Sequence, residues 1–286
     1  MTHRIKKIIP AIFMLFLALF SFGQNADVAK SDGIGAESQE MYEKAAKAFE
    51  EAINAYAGQN VTDTFCIYHA GLNYSRVKQY EKAVPFLEKA IALDYSVVNG
   101  TKMLADAYTK LKKTDKAENI LLAAREKYTA NSFDFDKKLG YLYFNTGKYE
   151  KAANAFKTVN EQSPGKKSYM YMYAFALERT RKYKQAIDVF RELNQKFPTY
   201  KNGTKMLGIT LFEYAEQQNK KIVASYNSKK GQSLDDYLVV KKKLDKIDQV
   251  YKEAQTKLNE AQKDFPNDKQ ITDILASIKK TLAKKH

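Results

Sequence analysis

Apolar positions in this chain return in a fixed frame. Ala83, Ala117, Ala152 and Ala186 are separated by 34, 35 and 34 residues, and Ala254 follows after 68, twice 34. Three residues before each alanine stands Tyr80, Thr114, Tyr149, Tyr183 or Tyr251; four after it stands Leu87, Leu121, Phe156, Phe190 or Leu258. Seven after it comes Ala90, Ala124, Val159, Leu193 or Ala261. Steps of three and four gather these side chains on one helix face. A second pattern precedes each: Ala70-Gly71-x-x-Tyr74, Leu104-Ala105-x-x-Tyr108, Leu139-Gly140-x-x-Tyr143, Tyr173-Ala174-x-x-Leu177 and Leu207-Gly208-x-x-Leu211. The small residue in each predicts a close helix crossing. Pro164, Pro198 and Pro266 close three units, where proline ends one helix or opens the next. The pattern predicts a stack of helix pairs with a repeat of about 34 residues.

These residues resemble the tetratricopeptide repeat (TPR) family over residues 64–266. The unit Leu139-Gly140, Tyr143, Ala152, Phe156, Pro164 matches the family pattern almost throughout. The family's tryptophan is absent, its place taken by Ile67, Thr101, Asp136, Met170 and Thr204. The resemblance implies an all-α, TPR-type α-α solenoid, a right-handed superhelix of antiparallel helix pairs. It also implies that the first helices line a concave groove that binds peptide or protein segments. Carried over by position, the groove residues are Tyr68, Leu72 and Arg76, then Lys102, then Lys137, Tyr141 and Phe144. Tyr171, Phe175 and Arg179 follow in the fourth unit, and Lys205 and Phe212 in the fifth. The set is rich in rings, the side chains that dominate interfaces energetically.

Organisation follows from the same frame. Residues 1–23 read as a signal peptide: Arg4, Lys6 and Lys7 precede the apolar run Ile8–Phe22, and Ser21-Phe22-Gly23 suits cleavage before Gln24. The rival is a retained anchor, but fifteen apolar residues fall short of the roughly 20 a bilayer span needs. A leader of this style is bacterial and places the protein in the periplasm, at the outer membrane or outside the cell. Residues 24–37, with Gly33 and Gly35, read as a flexible leader, and 38–57 as a half-repeat helix with Ala45, Phe49 and Ala52 in the second-helix pattern. Residues 64–200 form four units: 64–97, 98–132, 133–166 and 167–200.

The fifth unit, 201–266, carries 34 surplus residues. No turn signal occurs from Thr204 to Ser225; the one breaker is the stretch 227–233, and Ser233 with Asp236 resembles a capping box. Beyond it Tyr237, Val240, Leu244, Ile247, Tyr251, Ala254, Leu258, Ala261 and Phe265 step by three and four, as a coiled-coil seam does. This predicts one hairpin of two over-long helices, an arm over about 217–250. Residues 267–286 form a capping helix with Ile271, Ile274, Leu275, Ile278 and Leu282 on one face.

Charge sharpens the picture at one end. The net charge is +15, but residues 24–100 are net acidic, with 7 basic against 11 acidic side chains. The basic excess lies beyond residue 100, and Lys220, Lys221, Lys229, Lys230 and Lys241 to Lys243 concentrate it on the arm. That is Lys241, Lys242 and Lys243 in one run. Such a surface is either a solubilising coat or a site for anionic lipid, glycan or an acidic protein. Export argues against nucleic acid. One cysteine, Cys66, excludes an internal disulfide. Cys66 and His69 lie three apart, but a zinc site wants four ligands and no second pair is present. No phosphate loop or nucleophile elbow occurs, so neither a cofactor nor catalysis is expected. The sequence thus points to a non-enzymatic scaffold of the cell envelope, with surface binding through the arm and the last helix as the alternative. The protein partner and the oligomeric state are not readable from it.

Overall fold

The computed structural model describes residues 25–283. The expected signal peptide lies outside them. Thirteen helices and no strand occur among the described residues: α1 (25–38), α2 (Tyr42–Ala57), α3 (Thr64–Arg76), α4 (Tyr80–Ala92), α5 (Val97–Lys110), α6 (Thr114–Lys127), α7 (Ser132–Asn145), α8 (Tyr149–Gln162), α9 (Lys167–Arg179), α10 (Tyr183–Lys196), α11 (Lys201–Asn227), α12 (Leu234–Gln262) and α13 (Lys269–Ala283). The chain divides into two compact units between Leu142 and Tyr143, inside α7.

One turn joins the two helices of a pair, and it recurs in frame. Lys78, Lys112, Gly147 and Arg181 adopt φ of 61°, 59°, 73° and 60°. The residue after each donates its N–H back across the turn: Gln79 to Tyr74 O, Lys113 to Tyr108 O, Lys148 to Tyr143 O, Lys182 to Leu177 O, at 2.8–2.9 Å. This satisfies carbonyls that a helix end leaves open. Only Gly147 is a glycine, so the turn was visible in sequence at one place of four.

The same turn occurs earlier. Glu40 has φ 58° and Met41 N–H donates to Ala36 O at 2.9 Å. Residues 25–38, expected to be a flexible leader, are therefore the first helix of a complete pair with α2, and the expected half-repeat is corrected accordingly. Gly33 explains the misreading. It stands twelve residues before Ala45 and sixteen before Phe49, as Gly71 stands before Ala83 and Leu87. A Cβ on Gly33 would lie 2.8 Å from the Phe49 ring, so its role is close approach, not flexibility. Ala36 joins Ala45, Phe49, Ala52, Cys66 and Ala70 in one core cluster of the first compact unit.

In the second compact unit the frame breaks once. The turn expected 34 residues after Arg181 falls at Ala215, yet α11 runs through that residue and buries it. Helix α11 has 27 residues and α12 has 29, about 40 and 44 Å at 1.5 Å per residue. They separate at the 227–233 breaker, and α12 opens with a full capping box. Ser233 Oγ accepts from Asp236 N–H and the Asp236 carboxylate accepts from Ser233 N–H, both at 3.1 Å. Near its base the hairpin is closed. Ile247, Tyr251, Ala254, Leu258 and Ala261 are buried, and Gly208 lets α12 approach so closely that a Cβ would meet Leu258 Cγ at 2.7 Å. Between Ala215 and Ile247 no side chain is buried. In the outer part of the expected seam Tyr237 is exposed and Val240 and Leu244 are half-buried. Helix α13 packs on α11 and α12 and buries Ile271, Ile274 and Ile278. Those three residues of the stripe are spent on the fold, while Leu275 and Leu282 are half-buried.

Candidate functional site

The positions assigned to the groove do not share one environment. In the first compact unit most are already engaged. Tyr68 is buried; its ring meets Tyr95 at 5.7 Å and its hydroxyl points to Met103 Sδ at 3.8 Å. Arg76 bonds Glu37 of α1 at 2.6 Å and lies 4.7 Å from the Tyr42 ring centroid. Glu37 also takes His69 Nδ1 at 2.7 Å, and Lys30 of α1 pairs with Asp63, the N-cap of α3, at 2.7 Å. Helix α1 thus covers the face of α3 that was expected to be open, leaving Leu72 half-buried.

The expected groove lysines are internal ties. Lys102 of α5 pairs with Asp134 of α7 at 3.2 Å, and Lys137 pairs with the same carboxylate at 3.0 Å. These ammonium groups hold the Asp134 carboxyl below the usual carboxylate range, Lys137 first. Lys138 returns the link to Asp106 at 2.5 Å. In the second compact unit Lys205 of α11 pairs with Asp268 at the start of α13. Lys102 and Lys205 occupy the same place in the repeated hexapeptide Asn-Gly-Thr-Lys-Met-Leu and make the same kind of bridge to the next first helix. Tyr141 is half-buried. Cys66 is buried, and burial pushes its thiol up to about 12, out of nucleophile range. Among the described residues no group of His, Cys, Asp and Glu is placed to hold a metal ion, and no helix is long and apolar enough to cross a membrane.

The second compact unit gathers the rings. Phe144 lies 5.2 Å from Phe175 and 5.9 Å from Tyr149; Tyr171 lies 6.0 Å from Phe175 and 5.7 Å from Tyr200. The five are half-buried and come from the end of α7, the start of α8, the body of α9 and the turn before α11. Sequence reading found Phe144, Tyr171 and Phe175 and missed Tyr149 and Tyr200. Tyr149 recurs in the repeat frame as the tyrosine three before an alanine, so it reads as packing alone; Tyr200 stands where the other units hold Val97, Asn131 and Lys166, so the frame gives it no signal. Arg179 rests 5.4 Å from the Tyr149 centroid and Lys167 5.6 Å from that of Tyr200. Cation–π contacts at this distance orient both charges along the band. Burial drives the Tyr171 hydroxyl up to about 12, keeping it a neutral hydrogen-bonding group.

Behind the band sit two carboxyls. Glu178 of α9 is 6% exposed and lies beside Glu213 of α11, and one carboxyl oxygen of each is buried with no hydrogen-bond partner among the described residues. Burial, then the Glu213 partner, raises Glu178 to about 8. Glu178 therefore keeps its proton to higher pH than an exposed carboxyl does. Phe212, the neighbour of Glu213, packs 6.1 Å from Tyr251 and so braces the hairpin rather than the band.

The arm lysines behave differently from the groove lysines. Lys229 pairs with Asp236, and Lys220 stands 3.9 Å from Glu216. Lys221, Lys230, Lys241, Lys242 and Lys243 are exposed and form no ion pair among the described residues. The Lys229 ammonium, with the Ser233 backbone, holds Asp236 down at about 2.

Comparison with known proteins fits this architecture. Residues 66–96 match the family described as tetratricopeptide repeat, and residues 127–193 match that of anaphase-promoting complex, cyclosome, subunit 3. No curated protein sequence matches the chain. A solved tetratricopeptide repeat protein from Parabacteroides merdae superposes with a TM-score of 0.57 at 14% identity, over 89% of this chain and 99% of that one. MamA from Desulfovibrio magneticus RS-1 gives 0.53 at 18% identity over 62% and 97%, and another MamA structure gives 0.54 at 20% over 61% and 92%. At these identities the likeness is one of fold, an α-α solenoid.

Proposed function

The chain is a tetratricopeptide-repeat protein, and from that premise we propose that it is a non-enzymatic scaffold that holds a protein or peptide segment on the aromatic band of its second compact unit. The observation that carries this reading is the contrast among expected groove residues. The lysines are consumed by internal bridges, while Phe144, Tyr149, Tyr171, Phe175 and Tyr200 are half-buried and in ring contact with one another. Aromatic side chains lose little rotamer entropy on binding and bury large area, so recognition here rests on apolar insertion edged by Arg179. A carboxylate clamp built from groove lysines is not available. The leader sequence supports a site of action in the bacterial cell envelope.

The test is partner capture. With Phe144→Ala and Phe175→Ala combined, the set of proteins crosslinked to the chain in intact cells should shrink, at unchanged helicity. An unchanged partner set would remove the band from the account.

A further inference from the structure

The outer end of the hairpin exposes apolar side chains as well as lysines. Leu234 is 73% exposed, Leu238 51%, Val239 54% and Tyr237 49%. Leu234, Tyr237, Leu238, Lys241 and Lys242 stand at i, i+3, i+4, i+7 and i+8 of α12, so they form one stripe. Lys229 and Lys230 flank its start in the connecting turn. Packing does not explain this stripe, because no side chain between Ala215 and Ile247 is buried.

We propose that this end of the hairpin is a docking site for an anionic lipid bilayer. The hairpin lies along the surface, with Leu234, Tyr237 and Leu238 in the headgroup–acyl boundary and lysines at both ends of the stripe among lipid phosphates. An interfacial helix buries its apolar face to about 5–10 Å and draws on anionic lipid for the rest. Tyrosine suits that depth, with an apolar ring and a polar tip.

Charge and shape decide against other occupants. A second copy would press an identical set of unpaired lysines against Lys221, Lys230 and Lys241 to Lys243. An acidic glycan would engage the lysines and leave Leu234 and Leu238 without a role. The proposal stands independently of the aromatic band, which lies on other elements.

The chain has no tryptophan, so Tyr237→Trp gives a single tryptophan, selectively excited, at the contact. The protein starting at Gln24, which contains every described residue, is mixed with vesicles of phosphatidylcholine alone or with phosphatidylglycerol added. With anionic vesicles the emission should shift to the blue and be quenched by brominated acyl chains. Binding should fall at least about tenfold on adding Leu234→Ser with Leu238→Ser, and also as salt shortens the Debye length from about 14 Å to below 5 Å. Both leucines are exposed, so the circular dichroism spectrum should not change. Equal binding to neutral vesicles, or anionic binding without acyl-chain quenching, would overturn the proposal. So would wild-type affinity of the double serine variant, the result expected for an acidic protein or polysaccharide partner.

Discussion

Asp136 occupies the place where related repeats carry tryptophan. It is buried, and Arg125 of α6 reaches it at 2.6 Å. Burial raises the Asp136 carboxyl above its usual range, with Arg125 opposing, so desolvation outweighs the partner. Removing Arg125 leaves a buried carboxyl unpaired. Arg125→Ala should cost about 1–3 kcal/mol in chemical denaturation, the lower part of the range reflecting the half-exposed guanidinium. Asp136→Asn added to it should recover much of the loss. Glu178 gives a prediction with a sign. Unfolded, it releases its proton near 4.5; folded, near 8. Between those values the folded chain holds a proton that the unfolded chain has lost, so stability falls as pH rises from about 4.5 to 8. Glu178→Gln should raise the thermal midpoint at pH 8 by a few degrees and leave it nearly unchanged at pH 4. A larger gain at pH 4 would contradict the assignment. Such residue-level facts were only half legible. The sequence shows Lys102, Lys137 and Lys205 on first-helix faces. It does not show Asp134 or Asp268, on the next first helix, closing on them, because that pairing depends on how neighbouring repeats stack.

The alternation of large and small residues carried most of the element-level information. Gly71 meets Leu87 and Gly208 meets Leu258, both sixteen positions apart once the 34-residue insertion is removed, and each contact is tighter than a Cβ allows. Gly208→Ala should therefore destabilise the hairpin base despite alanine's better helix propensity of about 1 kcal/mol. Faster amide exchange over 247–261 would show it; a more stable hairpin would refute the close-approach argument. The break at 227–233 was readable because glycine and polar residues cluster there. The continuation of α11 through Ala215 was readable as an absence, since no turn residue stands where Arg181 stands one repeat earlier. Helix α1 was missed for a physical reason. Its partner α2 carries Ala45 at an offset of 38 residues from Ala83 rather than 34, and its Gly33 acts as a contact point, which sequence alone does not separate from flexibility.

For the whole molecule the repeat explains why binding, and not chemistry, is the reading the fold supports. Within each compact unit helix pairs stack on their neighbours and line up side chains in rows. Two surfaces stand apart from that regularity: the aromatic band, and the lysine-rich end of a hairpin that kept the repeat phase by adding one repeat length. The identity of a partner is set by complementarity that the partner supplies, and no spacing in this chain encodes it. The most direct measurement places a photo-reactive benzoylphenylalanine at Phe175 or Tyr171, and at Leu122 as an exposed control on α6, in cells that express the protein. The account predicts discrete protein adducts from positions 171 and 175 and none from 122. Absence of adducts at 171 and 175, or the same adducts at 122, would contradict it.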